Sequence, residues 1–475
     1  MAVIIVMDYF WARPESPSTG YDFHGSQSYK SYDLFVFLHF VLGLILALSR
    51  QLSLAYVVGV LLFSVFEIIR TNNRTFAAEK AIFYLMGLEV FVRMSNMGFP
   101  YETGKYGVCL ILMLATIQSR DKVKGSMSII VYFLLLLPSV LLVEVDSFFE
   151  LRKALSFNLS GPLSLTLSFF YFHRRAYTKE QILSFFAYLL GPIVLLLGVL
   201  TVKTPELSTI SFSSDANFEV SGGFGPNQVS TVLGLGIIVF IFFFFAKEKL
   251  IDKLWLKYCI LGLLLFRALL TFSRGGVLAP VLVFTILFIY FLFVFKQSNK
   301  MILGFVAVIF FFMTWIAVNR LTDGKLQERY IWEESRLESD YYLSGREEII
   351  LFDIKAFLSN PILGVGPGMS KTKRMDMGMS QAVAAHTEFS RVLAEHGVFG
   401  VIALLIMCYW TARALFKRMP RFQACFVYPC VIFSMFTMGH SAMRLACVGV
   451  LFGFAHIRFL SKTKVQSTNG DQNHE

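Results

Sequence analysis

Apolar windows recur along the chain, separated by short polar breaks. They fall at 34–49, 52–69, 76–92, 105–118, 127–143, 155–172, 181–202, 226–246, 254–272, 275–295, 301–318, 390–412, 421–438 and 443–460. Many approach the roughly 20 apolar residues that cross a hydrocarbon core of about 30 Å. Alternating ten-residue segments of the β-barrel kind are missing, so helices must satisfy the backbone. The pattern predicts an all-α, polytopic helical membrane protein of about 12–14 transmembrane helices with one large loop. The lower count allows for two windows with polar residues. The third holds Glu79, Lys80 and Glu89, and the sixth holds Asn158, Ser160, Gly161 and Pro162, which suit re-entrant or interfacial segments.

Composition agrees. The 475 residues are 56% hydrophobic and 16% charged, against roughly 25% charged in soluble domains. A net charge of +11 would suit nucleic acid, but here it collects in short breaks: "SRDKVKG" (119–125), "HRRAYTKE" (173–180), "KEKLIDK" (247–253), "KQSNK" (296–300) and "RALFKRMPR" (413–421). Such loops face the cytoplasm. In the 14-window layout all five lie on one side, with both termini. The expected divisions are a cytoplasmic tail at 1–32, a helical bundle at 33–318, a large periplasmic loop at 319–389, C-terminal helices at 390–460 and a cytoplasmic tail at 461–475. Segment 319–389 carries 9 Lys and Arg against 11 Asp and Glu, so it lacks the cytoplasmic bias. All six cysteines sit in apolar windows, which predicts neither a disulfide framework nor a metal site. The N-terminus has a short apolar run without a basic region before it, so no cleaved signal is expected.

A long segment inside a compact bundle is rarely idle. Within it, "SGREEIILFDIKAFLSNP" (344–361) predicts a helix: Ser344 and Glu347 make a capping box, and Pro361 stops it. Ile350, Ile354, Phe357 and Leu358 make its apolar face, for the membrane surface or the bundle. Arg346 in its first turn is either a solvated surface group or a phosphate ligand at a helix N-terminus. "GVGPGMS" (364–370) permits tight turns. "FRALLTFSRGG" (266–276) places Arg267 and Arg274 on nearly one face, with Gly275 and Gly276 expected to break the helix. Arg267 lies within an apolar window, where an ionisable group usually faces a bundle interior; Arg274 suits a snorkelling or a diphosphate-binding arginine. "SGGFGPNQVSTVLGLG" (221–236) starts a helix at Pro226 and offers Asn227 and Gln228 as polar contacts. In "AAHTEFSRVLAEHGVFGVIALL" (384–405), Thr387 is a natural N-cap, which sets His386 just before a first turn. The positive end of the helix dipole disfavours a protonated imidazole there, as a base requires. The alternative is an interfacial histidine. His396 reads as structural.

"TFSRGG", a long loop with "SGREE", "NPILGVGPG" and "AHTEFSRVLAEHGVFG", in this order, resemble the O-antigen ligase and polymerase superfamily, over roughly 266–405. These are bacterial inner-membrane proteins that move polyprenyl-diphosphate-linked glycans. The resemblance implies catalytic roles for Arg274, Arg346 and His386 around the diphosphate and the acceptor. Thr387 stands where many members have Asn. Arg267, Glu388, Asn227 and Gln228 are candidate substrate-binding residues. The implied donor is a polyprenyl-diphosphate-linked glycan and the acceptor a glycan or lipid-linked glycan. Membrane lipid, a flippase and a chain-length regulator are further partners, with no nucleic acid and no cofactor.

The expected reaction is attack of an acceptor sugar hydroxyl on the donor's anomeric carbon, with polyprenyl diphosphate leaving. The chain contains no Asp-x-Asp, so arginines are expected in the electrostatic role of a metal. Two products fit: a polymer, or a glycan ligated to lipid A-core. No outer segment offers an obvious lipid A site, which favours the polymer. A polysaccharide transporter would also be a basic-inside bundle, but it needs no long outer loop and often shows repeated halves, which this chain lacks.

Overall fold

The computed structural model describes residues 32–118, 125–212, 216–295, 300–332, 345–377 and 385–460. Every apolar window contains a helix. The first seven are α1 (Asp33–Leu46), α2 (Arg50–Thr71), α3 (Ala77–Met94), α4 (Thr103–Gln118), α5 (Met127–Leu134), α6 (Phe148–Phe172) and α7 (Lys179–Lys203). Then come α8 (Pro226–Ala246), α9 (Leu254–Leu270), α10 (Arg274–Phe295) and α11 (Lys300–Leu321). Two shorter helices, α12 (Gly345–Ser359) and α13 (Ser370–Asp376), precede α14 (Glu388–Leu415), α15 (Arg421–Ser441) and α16 (Ala446–Phe454). Among the described residues seven helices are long and apolar enough to cross a membrane: α2, α7, α8, α10, α11, α14 and α15. The others are shorter, or carry polar residues that the bundle interior absorbs.

Helix α7 is apolar around its whole circumference, and such a helix belongs at the centre of a bundle. Its most apolar window is 94% buried, against 11% for that of α11 at the rim. Helices α1, α3 and α8 pack around α7, and α10 packs between α8 and α15. The polar third and sixth windows each form one continuous helix. Helix α3 is buried along its length, and α6 runs for 25 residues through Pro162. Their polar groups are satisfied by other helices, and this permits them inside the bundle. Glu79, fully buried, accepts hydrogen bonds from the hydroxyls of Tyr171 and Tyr177, both at 2.8 Å.

The basic breaks that are described gather at one end. There Asp33 accepts from the backbone of Asp252 and Lys253, Lys179 pairs with Glu248, and Arg421 donates to the Phe245 carbonyl. A parallel pair of two-residue strands, β1 (Ala176–Tyr177) and β2 (Arg458–Phe459), closes the same end. Breaks 119–124 and 296–299 lie outside the described residues, as does Ser344. The loops around 95–102, 204–225 and 442–445 sit at the opposite end, where hydrogen bonds tie several of them together.

Helix α12 matches its expected extent, and of the two faces open to its apolar stripe the bundle is not the one that receives it. Ile349, Asp353 and Ala356 face α14 and are buried, whereas Ile350, Ile354 and Leu358 are 36%, 40% and 68% exposed. Asp353 turns the helix this way. Its carboxylate pairs with buried Arg374 of α13 and accepts from Ser390 Oγ of α14 at 2.7 Å. Burial pushes the Asp353 carboxyl up, against the opposing pull of Arg374. An ion pair inside the bundle must be met at full contact, so it sets the inward face and the apolar stripe points outward.

Candidate active site

Helix α14 begins as its sequence requires. Thr387 is the N-cap, and its hydroxyl accepts from Phe389 N at 3.2 Å. His386, half-buried, precedes that cap. Two turns on, the helix kinks at Gly397, whose φ of 60° and ψ of −139° suit glycine alone. The kink lets the chain segment 361–366 lie against it. Val398 N donates to the Pro361 carbonyl at 2.8 Å, and Val365 N to the Ala394 carbonyl at 2.9 Å. "NPILGVGPG" and "LAEHG" are therefore two sides of one backbone junction. His396 is fully buried there, with Nδ1 2.6 Å from Ser139 Oγ.

Glu388 lies inside a buried charge cluster. Its carboxylate pairs with Arg391 and accepts from Met443 N at 3.3 Å. Arg391 also pairs with Glu395 at 2.6 Å and reaches Asn158 Oδ1 at 3.3 Å. Glu388 thus fastens the start of α14 to α6 and to the turn before α16, with its own charge already paired.

The second candidate element is α10. Arg274 is its first residue, half-buried. Gly275 and Gly276 do not break the helix; they lie in its first turn, where a β-carbon on Gly275 would collide with the His440 ring and one on Gly276 with Ser230. Their missing side chains let α10 approach α15 and α8. Asn227 holds the entry to α10 by accepting from Ser273 Oγ at 2.8 Å. Tyr330 stands close by: burial pushes its hydroxyl up, while Arg274 and Arg329 pull the other way.

Gln228 leads to a group that sequence patterning passes over. Arg93 at the end of α3 donates to Gln228 Oε1 at 2.6 Å, pairs with Glu89, and donates to the carbonyls of Tyr101 at 3.0 Å and Arg444 at 2.9 Å. Its guanidinium also stacks over the Tyr101 ring, 4.2 Å from the centroid. Gln228 in turn donates to the Tyr101 hydroxyl. Arg444 NH2 then donates to the Ala385 carbonyl at 3.0 Å, one residue from His386. Gly275, next to Arg274, packs against the His440 ring, and Gly439, next to His440, lies near Phe389 of α14. Hydrogen bonds thus run from Gln228 through Arg93 and Arg444 to the residue before His386, while Glu388 and Asn227 hold the neighbouring turns.

Two candidates fall elsewhere. Arg267 donates to Thr204 Oγ1 at 3.0 Å, on the side of the 204–220 loop. Arg346 lies in the first turn of α12, and its side chain is outside the described residues. The residues that sequence reading missed are Arg93, Tyr101, His440 and Arg444. Only Arg93 left a signal, as the partner of Glu89 four residues earlier in an apolar helix.

Residues 259–405 match the family model described as O-Antigen ligase. This stretch is similar to an O-antigen ligase domain, in keeping with the resemblance of its motifs to the O-antigen ligase and polymerase superfamily. It contains α10, α12, α13 and the beginning of α14, and with them Arg267, Arg274, Arg346, His386 and Glu388. Among curated proteins the chain has no match.

Proposed function

With the similarity to an O-antigen ligase domain as premise, we propose that the chain is a polymerase that joins glycan repeat units carried on polyprenyl diphosphate. It works in the bacterial inner membrane, with both termini in the cytoplasm, and its active site opens to the periplasm. The polymer is an O-antigen, capsule or exopolysaccharide.

In the reaction, a hydroxyl of the acceptor repeat unit forms a bond to the anomeric carbon of the donor glycan. The bond from that carbon to the diphosphate oxygen breaks, and the electron pair leaves with polyprenyl diphosphate. His386 takes the hydroxyl proton. Arg274 and Arg346 neutralise charge growing on the leaving diphosphate, which the planar guanidinium suits by donating two parallel hydrogen bonds. Arg267, Asn227 and Gln228 contact substrate, and Glu388 holds the start of α14 in place. No divalent metal takes part.

One observation carries this reading. Arg93 joins Gln228 to the turn bearing Arg444, and Arg444 joins that turn to the residue before His386. Candidates separated widely in sequence therefore share one polar locus at the end of the bundle opposite the basic loops. The favoured test is the set of lipid-linked products in a strain lacking the protein. A polymerase predicts loss of polymer with single repeat units retained on the carrier. Full-length polymer accumulating on the carrier would show a ligase instead, and a change only in the sidedness of the carrier-linked unit would show a transporter. Activity of the purified protein is expected to survive EDTA; activity lost to EDTA and restored by magnesium overturns the metal-free reading.

A further inference from the structure

The carboxylates of the network are already committed. Glu89 pairs with Arg93 and accepts from Ala446 N at 2.7 Å. Glu388 and Glu395 both pair with Arg391, and Glu395 also accepts from Ser370 Oγ at 2.9 Å. Arg444 is left over. Among the described residues no carboxylate lies within ion-pair distance of it, and its Nε is buried with no hydrogen-bond partner. Its one hydrogen bond goes to the Ala385 carbonyl. Burial pulls its basicity below that of an ordinary arginine, and Arg391 and Arg93 act in the same direction, while Tyr101 and Glu388 pull the other way.

A mostly buried guanidinium with no ion pair at contact distance and an unsatisfied Nε is costly, because the interior returns little of the hydration it loses. The turn that carries it is costly too. Ala442 holds a φ of 52°, a left-handed conformation that disfavours a side chain. The loop into Arg274 has the same feature at Phe272, with a φ of 54°. Each turn is nonetheless fixed from outside: Met443 N and Ala446 N are held by Glu388 and Glu89, and Ser273 by Asn227. Strain held firmly in place on both sides of a locus, with a guanidinium between them whose Nε has no partner, fits a group that an anion arriving with the substrate would complete.

We infer that Arg444 binds the diphosphate of the lipid-linked donor beside His386, a binding residue outside the stretch similar to an O-antigen ligase domain. This rests on the proposed function. Arg444 is the cation of the network fixed to the histidine's own backbone segment, so a diphosphate drawn to it is brought to the proposed base. An anion there gives Arg444 a direct partner and offers oxygens to a planar donor.

The test uses the purified full-length chain in detergent, with farnesyl diphosphate and farnesyl monophosphate as probes, beside thermal unfolding. Arg444→Gln is expected to weaken diphosphate binding at least about tenfold, near 1.4 kcal/mol, with a smaller loss for the monophosphate. Arg444→Lys, which keeps the charge and tests a folding defect, should fall between the two. Wild-type affinity in Arg444→Gln overturns the inference, as does a lower melting temperature with an unchanged ratio of diphosphate to monophosphate affinity, since that marks a purely structural contact. If wild type binds neither probe, the proposed function fails together with the inference. If wild type binds and Arg444→Gln binds equally well, only the inference fails.

Discussion

His386 and His396 sit ten residues apart in one motif, and their surroundings divide their roles. His386 is half-buried beside the arginine network; His396 is fully buried against Ser139. His386→Ala is expected to abolish polymer at normal membrane levels while donor binding persists. His396→Ala should keep its polymer ladder and lose stability, about 1–3 kcal/mol for a buried group left unpaired. Glycan gels beside immunoblots and melting curves separate the two. A wild-type ladder from His386→Ala makes that histidine an interfacial group. At Arg274, lysine keeps the charge but loses the paired donors. Arg274→Lys should therefore cut polymer output nearly as far as Arg274→Ala, on the order of tenfold or more at ~1.5–3 kcal/mol per charged hydrogen bond. Normal polymer from Arg274→Lys would leave this arginine merely interfacial. At this scale the sequence was legible where chemistry is local. Thr387 as N-cap and Pro226 as first residue of a helix follow from neighbouring residues. Arg93 and Arg444 did not, because their contact spans 351 positions and neither belongs to a periodic pattern.

Elements were legible by hydropathy to within a few residues at most boundaries. Their orientation was not. Helical spacing finds an apolar stripe on α12 but cannot tell whether the bundle or the surroundings receive it; the buried pair Asp353–Arg374 decides that, and its partners lie on different helices. Arg374→Met alone should destabilise the loop by about 3–5 kcal/mol, since it strands a buried carboxylate, whereas Asp353→Leu combined with Arg374→Met should recover most of the loss. Limited proteolysis around 360–377 reads both; equal cleavage of the single and double variants would show that the pair does not orient α12. Gly275 and Gly276 illustrate the same limit. A glycine pair reads as a helix breaker, but here each marks a place where another helix comes too close for a β-carbon. Gly397 differs, since its backbone conformation itself demands glycine. Gly397→Ala should cost about 1–3 kcal/mol from backbone strain alone and more from collision with Ile362. A melting temperature like that of wild type would mean that the kink relaxes.

Across the whole molecule, charge is the readable signal. Of the basic breaks predicted from sequence to share a side, the three that are described meet at one end, through Asp33, Lys179 and Arg421. Whether that end is cytoplasmic is a matter for labelling. In a background with exposed Cys259 and Cys408 replaced by serine, Lys371→Cys is expected to react with a membrane-impermeant maleimide in spheroplasts, and Lys417→Cys only after lysis. The reverse pattern inverts the protein and removes the proposed chemistry.

The turn at 442–445 also makes the locus a matter of assembly. The couple Arg93 and Glu89 on α3 is met by the last helical hairpin, which gives it the carbonyl of Arg444 and the amide of Ala446. Helices distant in sequence therefore share one clasp, and loosening the hairpin is expected to expose α3 to proteolysis near residue 93 as well as the turn itself.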